Sequence, residues 1–376
     1  MTTLVPLPQI SKLVAAMVSG AGTGFPPIDT WAKNGERASW YSRGAVAIRS
    51  IAEMSLTIDR RKGLRLWFPD YFCNASTVPA RNAGFELCFY PIKEDLQPDW
   101  ERCRQIAEER PPALFMLVHY FGHLSDSAPA REFCDEFDAL LVEDGAHVLE
   151  PYDGIGVNCD FSFYSPHKLL PVPDGAVLLA NTPRAKETLL DNREEVSGKF
   201  ASTGVWVAKR VVQRIMLDAL LERRLYQRHP AFDADLMPGK PEPGCEMSVL
   251  SRRLLKNLKP RITDVATRRQ ANARAWRSAF DGAKIPLRPF FETHGAEGSA
   301  PYRFVLRAPD TDTARTWYEQ LWRSGVPVET WPDLPPELAA HESLHEMALK
   351  LRRTLLFLPT HQSFQAERFV RRVKSL

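Results

Sequence analysis

An aspartate, a histidine and a lysine define the chemistry open to this sequence. The run Asp138-Ala-Leu-Leu-Val-Glu-Asp-Gly-Ala-His147 carries an apolar strand, Ala139 to Val142, that ends in Asp144, with His147 three residues on. Lys168 follows 24 positions after Asp144 (168 − 144), closing Asp160-Phe-Ser-Phe-Tyr-Ser-Pro-His-Lys168. A Pro/Gly turn, Pro171-Val-Pro-Asp-Gly175, then leads to a second apolar strand, Ala176 to Asn181. A buried acid at a strand end keeps a pyridinium nitrogen protonated, and a lysine in a partly buried turn forms a Schiff base. The pattern therefore predicts a pyridoxal 5′-phosphate (PLP) site built on Asp144 and Lys168. The same amine can afterwards move a proton at the substrate carbon. His147 is expected beside the ring, hydrogen-bonded to its phenolic oxygen.

The cofactor's phosphate needs hydroxyls and backbone amides. Ser165 and Ser162 lie three and six residues before the lysine, and the turn Ser42-Arg43-Gly44 opens a helical stretch that runs to Met54. A helix start of that kind exposes N–H groups to an anion. Tyr71 or Phe72 is expected over the pyridine face, with His119 as the other aromatic candidate. Each residue alone has a plainer reading. Lys168 could be a solvated side chain, Asp144 a helix cap, and the aromatics ordinary core.

The elements that must position these residues alternate. Strands are expected at 64–68, 85–90, 114–119 and 139–142, with helices opening after Tyr71 and spanning 100–109 and 128–137. The nearly continuous apolar run Leu114 to Val118 suits a strand buried on both faces. Alternation of this kind predicts a mainly parallel sheet sandwiched by helices, with ligands outside the carboxyl ends of the strands. Tyr71, His119 and Asp144 would then converge on one crevice. Residues 1–35 read as an N-terminal arm with one amphipathic piece, Ile10 to Val18. Residues 36–245 read as the large domain, in which 183–245 is a helical segment closed by the linker Pro238-Gly-Lys-Pro-Glu-Pro-Gly244. Residues 246–376 read as a smaller α+β domain, with strands at 302–306, 326–330 and 355–358 and helices at 247–258, 263–280, 313–323 and 365–373.

Composition narrows the function classes. The 376 residues are 44% apolar, enough for about two cored domains, and the net charge is +3. That balance does not mark a dedicated nucleic-acid binder. Six scattered cysteines without a C-x-x-C pair argue against a disulfide framework and for a reducing, cytoplasmic setting. No signal peptide and no apolar run long enough to span a membrane is evident. The basic residues of the later helices (Arg252, Arg253, Lys256, Lys259, Arg261, Arg268, Arg269, Arg274 and Arg277) read as solvated faces rather than a diphosphate site. His341-Glu-Ser-Leu-His345 fits H-E-x-x-H, but no clear third ligand follows, and it reads as a surface or partly packed helix without metal.

Taken together, the chain resembles the DegT/DnrJ/EryC1/StrS group of PLP-dependent sugar aminotransferases, of aspartate aminotransferase fold type I. The matching pieces are Ser42-Arg-Gly-Ala-Val-Ala-Ile, Phe68-Pro-Asp-Tyr-Phe-Cys, Val118-His-Tyr-Phe-Gly122, Glu143-Asp-Gly-Ala-His147, Phe163-Tyr-Ser-Pro-His-Lys168 and Asp174-Gly-Ala-Val-Leu-Leu. They run on through Glu246-Met-Ser-Val-Leu-Ser-Arg and Leu356-Phe-Leu-Pro359. The resemblance implies a seven-stranded-type sheet, and a homodimer with its active site at the interface. It also implies amino transfer from glutamate or glutamine to a keto group on a nucleotide-linked sugar. Asp144 would hold the pyridine nitrogen, His147 the phenolic oxygen, and Lys168 the cofactor itself. The chain departs from the family pattern where Phe163 replaces a serine, where Cys73 replaces a large aromatic, and at the Arg43-Gly44 phosphate turn. Residues 183–245 also depart, in the segment that usually reaches the partner's phosphate. Ser165-Pro-His-Lys168 is also similar to the lysine turn of cysteine desulfurases, which leaves a PLP lyase open. The altered phosphate turn leaves open a non-catalytic binding protein of the same fold.

Overall fold

The computed structural model describes residues 3–18, 24–58, 65–189, 200–216, 220, 229–234, 244–257, 262–281, 283–292 and 299–376. Residues 238–243 of the expected linker lie outside them, as do Lys259 and Arg261. Seven strands form one sheet: β1 (Arg37–Tyr41), β2 (Arg65–Pro69), β3 (Glu86–Tyr90), β4 (Leu114–Val118), β5 (Leu140–Gly145), β6 (Phe161–Tyr164) and β7 (Ala176–Ala180). Their spatial order is β1-β7-β6-β5-β4-β2-β3. Pairs from β3 through β6 are parallel, and β7 runs antiparallel to both β6 and β1. Every residue of β4, β5, β6 and β7 is buried, because helices cover both faces.

Two strands depart from the sequence expectation. Residues 37–41, read as no strand, pair with β7; the helix after the Ser42–Gly44 turn starts at Gly44, as expected. The aromatic run 161–164 is a strand of four residues between β5 and β7. Its brevity left no period to read. A third departure is Val326–Thr330, which makes a single bridge, Glu329 to Phe357, rather than a strand. Pro327 lacks the N–H that a ladder would use.

The later residues form a three-stranded antiparallel sheet, β8 (Arg288–Pro289), β9 (Arg303–Arg307) and β10 (Leu355–Pro359), in the order β10-β9-β8. Trp276, Phe280, Tyr318, Trp322 and Phe369 pack a core on one side of it. From the same region, Trp331, Leu351 and Phe357 join the core of the large sheet. That apolar seam seats the second unit over the carboxyl ends of β2, β4 and β5. The helix Ile10–Val18 forms where expected, and the arm docks on its own chain. Leu13 and Ala16 are buried, Arg253 Nη1 donates to the Ala16 carbonyl at 3.2 Å, and Leu7 N–H donates to Ser363 Oγ at 3.0 Å.

Two further expectations change. Arg252 and Arg269 are buried rather than solvated. Arg269 donates through Nη2 to the Leu169 carbonyl (2.8 Å) and through Nη1 to the Pro301 carbonyl (3.1 Å), tying the turn after Lys168 to the second unit. Burial, with help from Arg303, pulls its pKa down to about 9. His341-Glu-Ser-Leu-His345 lies in a turn ahead of the helix Glu346–Thr354. His341 is exposed, while His345 is buried with Nδ1 3.1 Å from Asp70 Oδ2. The two imidazoles therefore do not share a helix face. No helix among the described residues is long and apolar enough to cross a membrane.

Candidate active site

Residues at or just past the carboxyl ends of four strands, Phe72, Val118, Asp144 and Ser165, line one cavity of about 800 Å3, together with His147 and Lys168. Tyr302, Glu329 and Trp331 close it from the second unit. This is the location that a parallel sheet dictates for a ligand.

Strand alternation sorts the two acids of β5. Asp144 points into the cavity, and Oδ1 accepts the Ala146 N–H at 2.7 Å. Glu143 points to the opposite face, where Oε2 meets His119 Nε2 at 3.0 Å and accepts the Gly156 N–H at 2.7 Å. Burial raises the pKa of Asp144; the charge of Lys168 and the Ala146 hydrogen bond offset part of that rise.

Lys168 sits on the single turn Pro166–Leu169 that follows β6, half-buried, with Nζ 3.3 Å from His147 Nε2. The other ring nitrogen of His147, Nδ1, accepts the Phe121 N–H at 3.2 Å. Burial, then the charges of Lys168 and Arg303, holds the His147 pKa well below the usual value, so the ring is neutral. With Nδ1 accepting, the one ring proton resides on Nε2, aimed at Nζ. Tyr302 lies flat on the imidazole, with ring centroids 4.2 Å apart and planes 8° apart. The Phe121 amide is turned toward Nδ1 by two consecutive left-handed residues, Phe121 (φ 57°) and Gly122 (φ 86°). A Cβ on Gly122 would lie 2.9 Å from the His147 carbonyl oxygen, so glycine permits this approach.

At the other end, the 15-residue helix Gly44–Ile58 points its first amides into the cavity, which Arg43, Gly44 and Ala45 line. Ser165 is fully buried there, and among the described residues its hydroxyl has no hydrogen-bond partner. A Cβ on Gly44 would come within 3.0 Å of Ser165 Oγ and 3.1 Å of Phe163 Cε2. The glycine thus keeps open a small cradle between a helix N-terminus and an unsatisfied hydroxyl. An anion fits that cradle. An amine, a buried carboxylate and an anion cradle in one cavity are what PLP requires, and the residues present fit it.

Several expected residues lie elsewhere. Ser42 Oγ donates to the Gly244 carbonyl, and Ser162 Oγ accepts from Asn181 Nδ2 at 3.3 Å. Tyr71 stacks on Trp331 with centroids 4.4 Å apart behind the cavity wall, and His119 belongs to the Glu143 cluster. None of these four lines the cavity; Phe72, of the aromatic candidates, does. Cys73 also lines it, and burial, reinforced by the charge of Asp333, pushes its thiol up to about 12. Residues that the sequence did not single out are Tyr302, Trp331, His167 and Asn74, the last at the start of the helix Asn74–Asn82. Tyr302 sits 155 positions beyond His147 (302 − 147), and nothing local to it signals the stack.

Comparisons with known proteins agree with this geometry. Residues 56–209 match the model of the DegT/DnrJ/EryC1/StrS aminotransferase family. Spr1654 of Streptococcus pneumoniae, solved in its PLP form, is similar in structure with a TM-score of 0.69 and 15% identity, over 100% of this chain and 98% of that one. CalS13 of Micromonospora echinospora, a sugar aminotransferase, gives 0.66 and 15% over 100% of both chains. PseC of Helicobacter pylori, an aminotransferase in pseudoaminic acid biosynthesis, gives 0.67 and 11% over 98% of this chain and 96% of that one. At such identities the likeness is one of fold. A serine hydroxymethyltransferase of Campylobacter jejuni is 27% identical over 133 residues, 33% of this chain and about a third (31%) of its own length. The match to the DegT/DnrJ/EryC1/StrS aminotransferase model spans the segments that carry Asp144 and Lys168, and the fold is similar to that of solved sugar aminotransferases over the whole length of the chain.

Proposed function

We propose that the chain is a PLP-dependent aminotransferase that moves an amino group from glutamate or glutamine to a keto group on a nucleotide-linked sugar. The observation that carries the reading is the joint placement of Lys168 Nζ, His147 Nε2 and the buried Asp144 carboxylate in one cavity at the strand ends. When bound, PLP supplies an electron sink that makes a substrate carbon acidic and carries the amino group between donor and acceptor.

The chain's own residues supply the rest. Lys168 would hold the cofactor through its amine and, when released, would take up and return the proton at the substrate carbon. Asp144 would hold the pyridine nitrogen in its protonated state. His147 presents a fixed Nε2–H on the lysine side of the cavity, as a donor to the phenolic oxygen. Phe121 N–H fixes its tautomer, and the Tyr302 ring fixes its plane. Trp331, Phe357 and Phe121 exclude water from the cavity wall.

The sugar substrate is supported by the family and by fold neighbours such as CalS13. We also propose a homodimer, a cytoplasmic location and a role in surface polysaccharide or antibiotic-type biosynthesis. Division into an arm (1–35), a large domain (36–245) and a small domain (246–376) is supported by the separate packing around β8–β10. The desulfurase alternative would need a reactive thiolate. Cys73, the cysteine that lines the cavity, is held as a thiol by its raised pKa.

A visible spectrum with added PLP, followed by borohydride reduction and peptide mapping, tests the reading. Label on Lys168, and loss of the visible band on adding glutamate or glutamine, are expected. A colourless protein, or label on another lysine, would overturn it.

A further inference from the structure

An anion in the cradle at Gly44 calls for a positive charge. A phosphate monoester carries roughly −1.5 to −2 charge at neutral pH. A helix N-terminus offers the equivalent of about +0.5, and the Ser165 hydroxyl is neutral. Among the described residues, three cationic side chains line the cavity: Arg43, Lys168 and Arg303. Arg303 is committed to Glu329 at 2.7 Å, and Lys168 lies against His147. His167, next to the cradle, directs Nδ1 to the Gly175 carbonyl (2.9 Å), and burial together with Arg43 keeps it neutral.

We propose that Arg43 is the phosphate-binding cation of this cavity, completing within one chain a cup made by the Gly44 and Ala45 amides and the Ser165 hydroxyl. The proposal rests on the cofactor reading above. Arg43 immediately precedes the helix whose amides form the cup, and lines the same cavity as the unpartnered Ser165 Oγ. Its guanidinium has five donors, and among the described residues its hydrogen bond goes from Nη2 to the neutral carbonyl of Pro173 at 2.9 Å. The nearby acid, Asp174, is held by the N–H and hydroxyl of Ser248, each at 3.0 Å. Burial lowers the Arg43 pKa despite Asp174, as expected for a cation whose counter-charge arrives with the ligand. Ser165 Oγ would meet its missing partner at the same time.

The test compares two ligands that differ only in the phosphate. Apo protein, Arg43→Gln, Arg43→Lys and Ser165→Ala are titrated with PLP and with pyridoxal, following intrinsic fluorescence, with circular dichroism as the fold control. Arg43→Gln should weaken PLP roughly 10- to 100-fold and leave pyridoxal within about threefold of wild type. Arg43→Lys should recover part of the loss, and Ser165→Ala should show a smaller loss for PLP only. Unchanged PLP affinity in Arg43→Gln, or equal weakening of both ligands, would overturn the assignment. Should Arg43→Gln fail to fold, Arg43→Lys decides: PLP binding weakened no more than pyridoxal binding overturns it. If the wild type binds neither ligand, the cofactor reading itself fails, and this one with it.

Discussion

Asp144→Asn separates two effects of one carboxylate, and they have opposite signs. In the empty protein Asp144 is buried, and its pKa is raised above the ordinary 3.8 because burial outweighs Lys168 and the Ala146 N–H. A raised folded pKa means that the folded state holds the proton more tightly than the unfolded state. The resulting stabilisation is complete below the ordinary carboxylate pKa and is lost as pH rises through the folded value. At neutral pH the ionised side chain therefore weakens the empty fold. Asparagine keeps the Oδ1 that accepts from Ala146 at 2.7 Å and removes the charge. The empty variant should be at least as stable as wild type at about pH 7, with the two stability curves converging in acid. With PLP the sign reverses. The variant loses a charge-assisted hydrogen bond to the protonated ring nitrogen, worth about 1.5–3 kcal/mol, which is roughly 10- to 100-fold in affinity. Its amide Nδ2 donates only to an unprotonated nitrogen, so turnover should fall further than binding does. Denaturant unfolding of the empty proteins across the acid-to-neutral range, with PLP titration of both, measures the two effects. An empty variant destabilised by more than about 1 kcal/mol at neutral pH, or PLP affinity equal to wild type, would refute the reasoning.

Three further outcomes follow from the same geometry. Lys168→Ala should abolish borohydride-fixable cofactor and turnover while the unfolding curve stays near wild type, because among the described residues the polar contact of Nζ is to the His147 ring; retained turnover would reject the lysine's role. Tyr302→Phe should behave like wild type, whereas Tyr302→Ala removes the flat contact on His147, worth about 0.5–1.5 kcal/mol, and should lower kcat/KM several-fold; equal kinetics for the two variants would show that the stack positions nothing. Asp70, buried at the seam against His345, has a pKa of about 6, raised chiefly by burial and partly offset by the imidazole. Its stabilising proton is bound below the ordinary 3.8 and lost as pH rises through about 6, so Asp70→Asn should flatten the stability profile in that window; an unchanged slope would refute it.

Much of the site was legible because its chemistry is local. Asp144 and His147 share a strand end and the loop that follows it, and Lys168 closes the next turn, so short-range pattern placed all three. The sheet was legible for a similar reason, since buried parallel strands read as apolar runs between helices. That same burial hid the direction of each polar side chain. A strand covered on both faces shows no polar alternation, so the sequence of β4 and β5 could not tell that Asp144 faces the cavity while Glu143 and His119 pair behind it. Tyr71 illustrates the limit too: it follows β2 as expected, yet its ring turns onto Trp331, from a segment 260 positions away (331 − 71).

By itself, then, the sequence determined the alternation of strands and helices up to Asp144, the pairing of an acid with an amine, and hence the class of cofactor. Tertiary structure alone decided the tautomer of His147, set by an amide at Phe121 and a ring at Tyr302. It alone set Ser165 rather than Ser162 at the start of the helix at Gly44, and turned Arg269 inward onto the carbonyl of Leu169. These contacts join residues from separate elements whose approach is fixed by packing, and no spacing along the chain encodes them.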